Sequence, residues 1–329
     1  MTTTATRPQI TSLHVFCAVL VAAIAARPLI TETLAAPVLR TAATVFVAVC
    51  VQALPFLVLG VLLSGAIAAF VSPAVLRRAL PTRTAAAVPV AGAAGLVLPG
   101  CECASVPVAR RLIAHGVPDA AALTFLLAAP AVNPVVLVAT AVAFPGEPRM
   151  VLARFVGSVA TACAMGWLWQ RSGRAEWIAA RARRPVAAPA GASRWAVLGE
   201  AARHDLVSAG GFLVVGGLTA ATLSVLVPPE WMAALGGQLL LAIVVMAVLA
   251  VVLALCSEAD AFVVASLSTL PLLPRLVFLV VGPAVDVKLI AMQAGTFGRA
   301  FAARFAPATF VVAVVCAVGA GLVVFGGLR

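Results

Sequence analysis

Charged side chains are scarce in this sequence. Only 10% of its 329 residues are Asp, Glu, Lys or Arg, and 64% are hydrophobic. Soluble proteins average about 25% charged and about 45–50% apolar residues. No polar block is long enough to fold alone, so the composition excludes a soluble catalytic domain. It predicts an all-α polytopic protein embedded in a lipid bilayer, and we expect no enzyme activity.

Lysine is almost absent. Lys288 is the single lysine among 22 basic residues. The phosphate-binding loop GxxxxGK[ST] needs a lysine, and this pattern does not occur in the chain. Transport would therefore be secondary or driven by a partner protein, and we expect no cofactor. The arginines fall between apolar runs, as the positive-inside rule predicts, so the net charge of +11 does not indicate nucleic-acid binding.

The seven cysteines are an odd number in a chain with little extramembrane sequence, which argues against a disulfide framework. Four stand singly in apolar runs, where cysteine packs as a small hydrophobic residue: Cys17, Cys50, Cys163 and Cys316. The other three lie beside acidic residues: Cys101, Cys103 and Cys256.

Long apolar runs divide the chain, and several approach the ~20 residues that a membrane-spanning helix needs. They cover residues 13–26, 42–71, 151–169, 206–227, 239–255, 276–290 and 305–325. We predict four regions: an N-terminal helix and loop (1–40), a first membrane repeat (41–170), a basic cytoplasmic linker (171–203) and a second membrane repeat (204–329). Residues 41–170 and 204–329 are called the first half and the second half below.

Short motifs recur in the same order in the two halves and indicate an internal repeat. Residues 56–60 (FLVLG) return as 212–216 (FLVVG), and residues 130–133 (PAVN) return as 283–286 (PAVD). The triplet at 153–155 (ARF) returns at 303–305. Four such matches in one order, counting the cysteine-bearing turns described next, are hard to explain by chance.

The distribution of arginines favours inverted halves. If residues 85–114 dip into the membrane and return, Arg77, Arg78, Arg83, Arg110 and Arg111 all fall on the cytoplasmic side. Each half then contains a spanning helix, a re-entrant hairpin, a broken helix and a final spanning helix. The alternative is that all four segments cross and that the halves are parallel, because residues 239–255 alone are long enough to span.

Two polar turns interrupt the apolar sequence at equivalent places. One is Cys101-Glu102-Cys103, and the other is Cys256-Ser257-Glu258 with Asp260 following. Ionisable groups at membrane depth are costly and mark functional sites. Thiolates suit Cu(I), Zn(II) or a thiophilic metalloid, so Cys101, Cys103 and Cys256 are candidate metal ligands. The structural alternative is a pair of packing cysteines beside a carboxylate.

The repeated PAV motifs end in Asn133 and Asp286, each after a proline that breaks a helix. Both side chains are expected to line the same central pocket. Lys288 lies two residues after Asp286 and would not pair with it well in a regular helix. We expect its partner across the repeat interface, with Asp260 or Glu258 as candidates. The alternatives for this pair are proton coupling and a structural, charge-neutralised contact.

These motifs resemble a bacterial family of predicted permeases that includes the ArsP-type organoarsenical efflux permeases. The resemblance rests on residues 99–112, 116–118 and 125–134 in the first half and on residues 256–262 and 282–288 in the second. It covers nearly the whole chain from about residue 41. It implies a multi-pass protein of the bacterial inner membrane that exports trivalent arsenicals, copper or zinc.

Two functions follow from the sequence. The first is a secondary permease that exports a thiophilic solute, a trivalent organoarsenical or a soft metal ion, through a pocket between the repeats, with proton coupling through Glu102, Glu258, Asp260 and Asp286. The second is a membrane-embedded thiol redox or metal-handling scaffold that serves a partner protein without moving solute. A cavity reaching both polar turns is expected of the permease, and a sealed cysteine pair of the scaffold.

Overall fold

The computed structural model describes residues 37–70, 81, 83–96, 102–183, 193–226, 238–267 and 270–326. Its regular elements in these ranges are helical, and the described ranges contain no strand. The chain divides into two compact units, Met1–Thr44 and Val45–Arg329. In the first unit only the beginning of a helix is described, so the predicted helix over residues 13–26 lies outside the described residues. The second unit contains every site considered below.

The helices of the first half and the linker are, in chain order, α1 (Pro37–Phe70), α2 (Thr84–Ala94), α3 (Glu102–Ala114), α4 (Asp119–Val132), α5 (Pro134–Ala143), α6 (Pro148–Ser172) and α7 (Ala180–Arg183). Those that follow are α8 (Arg194–Leu226), α9 (Leu239–Leu253), α10 (Asp260–Ser266), α11 (Leu272–Ala284), α12 (Val287–Thr296) and α13 (Arg299–Phe325).

Five helical segments are long and apolar enough to cross a membrane: Leu39–Phe70, Asp119–Ala143, Pro148–Ser172, Leu272–Thr296 and Arg299–Phe325. The predicted all-helical, multi-pass architecture is confirmed. Two of these segments are broken in the middle, one between α4 and α5 and the other between α11 and α12.

The breaks occur at Asn133 and Asp286, as predicted, but the prolines expected to break the helices, Pro130 and Pro283, lie inside α4 and α11. Pro134 disfavours the helical conformation at Asn133, which has ψ 155°, and Asp286 is extended with ψ 169°. Each side chain then caps the next helix. The Val136 N–H donates to Asn133 Oδ1 at 3.0 Å, and the Leu289 N–H donates to Asp286 Oδ1 at 2.5 Å. The predicted broken helix is therefore present in both halves.

The helices between the spanning segments are short. Helices α2, α3 and α9 contain 11, 13 and 15 residues. At 1.5 Å per residue they extend about 16, 20 and 22 Å, less than the ~30 Å hydrocarbon core. Over their described lengths these helices are shorter than a membrane span, and the re-entrant arrangement stays a prediction. The order of long, short, short, broken and long helices is similar in both halves, but the repeat and its inverted orientation stay predictions.

Two glycines of the repeated FLV motifs bring backbones into contact around the site. A Cβ at Gly60 on α1 would lie within 3.0 Å of Ala104 on α3, and a Cβ at Gly216 on α8 would lie 2.6 Å from the Lys288 Cα on α12. Only glycine permits such approaches. Helices α1 and α8 are thus packed directly against the helices that carry Glu102 and Lys288.

Part of the basic linker packs onto the helices. Arg183 forms an ion pair with Asp119 at the start of α4, at 2.6 Å, and the Ala179 N–H donates to the Phe297 carbonyl at 2.7 Å. The described part of the linker therefore contacts both halves.

Candidate functional site

The centre of the site is an ion pair between Lys288 on α12 and Glu102 at the start of α3. Both side chains are fully buried, and the Lys288 ammonium contacts Glu102 Oε1 directly. Asp286 Oδ2 lies 3.7 Å from the same nitrogen. The expectation that Lys288 pairs with Asp260 or Glu258 is wrong, because α3 places Glu102 of the first half against the ammonium. The pair does join the two halves, as expected.

Ala254 contributes a backbone oxygen to this centre. Its carbonyl accepts a hydrogen bond of 3.3 Å from the Lys288 ammonium. Ala254 ends α9 in the left-handed conformation, with φ 46° and ψ 45°, and is the only described non-glycine residue with positive φ. This conformation costs an L-residue roughly 1–2 kcal/mol. The turn that follows carries Cys256, Ser257 and Glu258.

Ser257 connects this turn to Glu102. Its hydroxyl donates to Glu102 Oε2 at 3.2 Å, and both residues are buried. Each oxygen of the Glu102 carboxylate therefore contacts a residue of the second half, Lys288 at one oxygen and Ser257 at the other. The two polar turns predicted to face each other are in contact through these side chains.

Arg154 on α6 completes the site and was not recognised from the sequence. Its guanidinium is fully buried. It donates to Thr140 Oγ1 at 2.7 Å, to the Ser257 carbonyl at 2.9 Å and to Asp260 Oδ2 at 3.0 Å. The sequence feature that could have identified Arg154 is its position inside the apolar run at 151–169. The sequence analysis treated it only as part of a repeated motif.

The site has more carboxylates than cations. Glu102, Glu258, Asp260 and Asp286 face Arg154 and Lys288, which leaves an excess of two negative charges if all are ionised. In the described part of the chain, both Glu258 carboxylate oxygens and Asp260 Oδ1 are buried without a hydrogen-bond partner. Burying unpaired charge is costly, so protonation, hydration or a bound cation would compensate the excess.

The two described thiols of the polar turns lie in the same region. Cys103 and Cys256 are buried, with 0% and 2% of their surface exposed, and both interact electrostatically with Lys288. Cys101 lies outside the described residues. Among the residues that the structure describes, no three His, Cys, Asp or Glu side chains form a metal-binding group. The role of the three cysteines as ligands stays a prediction.

Asn133 is fully buried at the break between α4 and α5. Its side-chain oxygen caps α5, and its side-chain amide donates to the Ala129 carbonyl at 3.0 Å. These contacts stabilise the break. The place of Asn133 in the lining of the pocket stays a prediction.

A second buried polar cluster lies at the other end of α3. Arg110 and Arg111 bind opposite oxygens of Asp205 on α8, at 2.9 and 3.0 Å, and the Ser64 hydroxyl of α1 donates to Asp205 Oδ2 at 2.7 Å. Asp205 and Arg111 are almost completely buried. These contacts hold the C-terminal end of α3 against α1 and α8, and Asp205 was not recognised as a candidate from the sequence.

Two surface cavities, of about 630 and 500 Å³, have mainly apolar linings. The first lies between α5 and α6, and the second between α9, α12 and α13. Neither is lined by Glu102, Ser257 or Lys288, so the charged centre is closed to both. The cavity reaching both polar turns, expected of a permease, is not among these two.

Comparison with known proteins identifies a family of predicted permeases. The model of the family ArsP_1, described as "Predicted permease", matches residues 38–322. A Streptococcus mutans protein described as a two-component membrane permease complex subunit is 32% identical over 82% of this chain and 92% of its own length. The UPF0718 protein YcgR of Bacillus subtilis is 33% identical over 83% of this chain and 94% of its own length. No solved structure matches significantly.

Proposed function

Because the chain belongs to the ArsP-type predicted-permease family, we propose that it is an inner-membrane secondary permease that exports a thiophilic solute. The cargo would be a trivalent organoarsenical or a soft metal ion. The pocket would lie between the two halves, where α3, the turn after α9 and α12 meet.

One observation carries this proposal: a closed, charged centre built from both halves inside a multi-pass helical protein. Glu102 from the first half is held by Lys288 and Ser257 from the second. Ionisable groups at this depth are tolerated when they face a cavity, an ion path or one another. Movement of one half against the other would separate these partners and expose them to one side of the membrane.

The thiols of Cys101, Cys103 and Cys256 would bind the soft atom of the cargo, because thiolates prefer soft ions. Thiols must lose their protons to act as ligands. These protons would pass to the cytoplasm when the cargo binds, with the buried carboxylates of Glu258 and Asp260 as relays. After release of the cargo outside, the thiols would take up protons from that side, so each cycle would exchange cargo for protons without nucleotide hydrolysis.

The alternative is a thiol redox or metal-handling scaffold that acts with a partner protein without solute flux. Two observations favour it. Cys103 and Cys256 are sealed from solvent, and the Streptococcus mutans relative is described as one subunit of a two-component complex. If the chain is a permease, the burial of these two thiols corresponds to an occluded conformation, closed to both sides of the membrane.

Sensitivity of a strain lacking the gene tests the export role and the cargo together. The strain should become more sensitive to at least one of trivalent methylarsenical, trivalent phenylarsenical, copper or zinc, and the wild-type gene should restore resistance. Genes carrying Cys101→Ser, Cys103→Ser or Cys256→Ser should fail to restore it. Cys163→Ser, at another buried cysteine in an apolar run, is the matched control and should restore it. Full resistance with all three site variants would exclude the thiols as ligands.

A further inference from the structure

The surroundings of the Lys288 ammonium have the composition of a cation site. Three oxygens from three separate segments face it: Glu102 Oε1 from α3, the Ala254 carbonyl from the end of α9 and Asp286 Oδ2 from the start of α12. Carboxylate and carbonyl oxygens are the ligands that hard cations bind in proteins. An ammonium is a compact positive charge that can take the place of such an ion.

We propose that these three oxygens form a binding site for a small monovalent cation and that the Lys288 ammonium is its built-in occupant. This assignment concerns binding and does not depend on which solute the chain transports. If the proposed permease function holds, a cationic cargo or a proton can reach Glu102 only when Lys288 is displaced from it.

The backbone beside the ammonium adopts an unfavourable conformation, which a simple packing contact would not need. Ala254 adopts the left-handed conformation where its carbonyl meets Nζ, although a β-carbon disfavours it. Among the described residues, Asp286 Oδ2 has no hydrogen-bond partner, so its contact with the ammonium is its electrostatic compensation. Gly216 lets α8 press against the Lys288 Cα and fixes the base of the lysine side chain.

Removing the lysine side chain should leave an empty site that accepts an amine from solution. Lys288→Ala deletes three carbons and the ammonium, which corresponds to one n-propylammonium ion. Lys288→Met fills most of the same space without a charge and is the matched control. n-Propanol has the length of the amine without its charge and tests whether volume alone is responsible.

The experiment is thermal unfolding of the full chain in detergent, for wild type and both variants. n-Propylammonium chloride replaces choline chloride stepwise at constant ionic strength. Choline is the reference cation because it is too large for the site. Ligand binding to the folded state should raise the Tm of Lys288→Ala by about 2–3 °C for each tenfold increase above the Kd. Wild type, Lys288→Met and the n-propanol series should show no such rise. Absence of a rise in folded Lys288→Ala, or an equal rise in Lys288→Met, would overturn the proposal.

Lys288→Ala leaves buried carboxylates uncompensated and can fail to fold. In that case its recovery is measured with and without n-propylammonium during purification, beside the double variant Lys288→Ala/Glu102→Gln. The proposal requires that the amine restores recovery of Lys288→Ala and that the double variant recovers without it. If the amine has no effect on Lys288→Ala, the cation site is refuted. A failure of solute flux would leave these binding results unaffected.

Discussion

Replacement of Arg154 by glutamine tests the account of the buried charges most thoroughly. The wild-type guanidinium is fully buried and donates to Thr140, to the Ser257 carbonyl and to Asp260. Arg154→Gln removes the charge and leaves Asp260 without its cation. Removing one partner of a buried ion pair costs about 3–5 kcal/mol. We expect a loss of this size in the free energy of unfolding.

The sequence offers a matched control for this change. Arg304 follows alanine and precedes phenylalanine as Arg154 does, but its side chain is exposed. It donates to the Ala300 carbonyl at 2.9 Å and lies 5.0 Å from the ring centre of Trp177. Exposed interactions of these kinds contribute about 0.5–1 kcal/mol. Arg304→Gln should therefore destabilise the protein several-fold less than Arg154→Gln.

A double-mutant cycle with Asp260→Asn isolates the ion pair. Since Asp260→Asn removes the charge that Arg154→Gln leaves unpaired, the double variant should be more stable than the sum of the single losses predicts. The coupling should fall within about 0.5–3 kcal/mol. Equilibrium unfolding in mixed detergent micelles measures all four proteins. Equal losses for Arg154→Gln and Arg304→Gln, or additive losses in the cycle, would refute the assignment of Arg154 as the buried counter-charge.

Three further substitutions test the geometry around the site by the same unfolding assay. Ala254→Gly should raise the free energy of unfolding by up to about 1 kcal/mol, because glycine adopts the left-handed conformation without the cost of a β-carbon. A decrease in the free energy of unfolding would show that the turn is not strained. Gly216→Ala should destabilise through its clash with the Lys288 backbone, whereas Gly211→Ala, with nothing within 4 Å, should not; equal effects would exclude the close packing of α8 on α12. Asp205→Asn should cost about 3–5 kcal/mol, because it removes the carboxylate that faces the buried Arg111 and the half-buried Arg110. Glu200→Gln, in an exposed pair with an arginine, should cost much less, and comparable losses would contradict the burial of the Asp205 cluster.

The sequence predicted those features that depend on local chemistry. Apolar runs of sufficient length predicted the spanning helices, and Pro134 accounts for the break at Asn133, because proline restricts its predecessor. The repeated PAV motif placed the second break at Asp286, although no proline follows that residue. The scarcity of charge singled out Glu102 and Lys288. These inferences need no knowledge of how the helices pack.

The pairing of charges depends on tertiary packing and could not be predicted in the same way. Lys288 was assigned to the wrong carboxylates because sequence spacing says which groups are buried but not which of them meet. Arg154 and Asp205 were missed for a related reason. Arg154 lies within the first turn of one apolar run and Asp205 directly before another, where an exposed interfacial residue is common, and only the packing of a second helix buries each of them.

Solute flux into liposomes tests the central claim most directly. The purified chain is reconstituted, a pH gradient is imposed, and uptake of trivalent arsenical, Cu(I) and Zn(II) is measured beside Glu102→Gln and Lys288→Met. The account predicts flux of at least one solute that depends on the gradient and falls at least tenfold in both variants. Folded wild-type protein that moves none of them under any gradient would contradict the permease and support the scaffold.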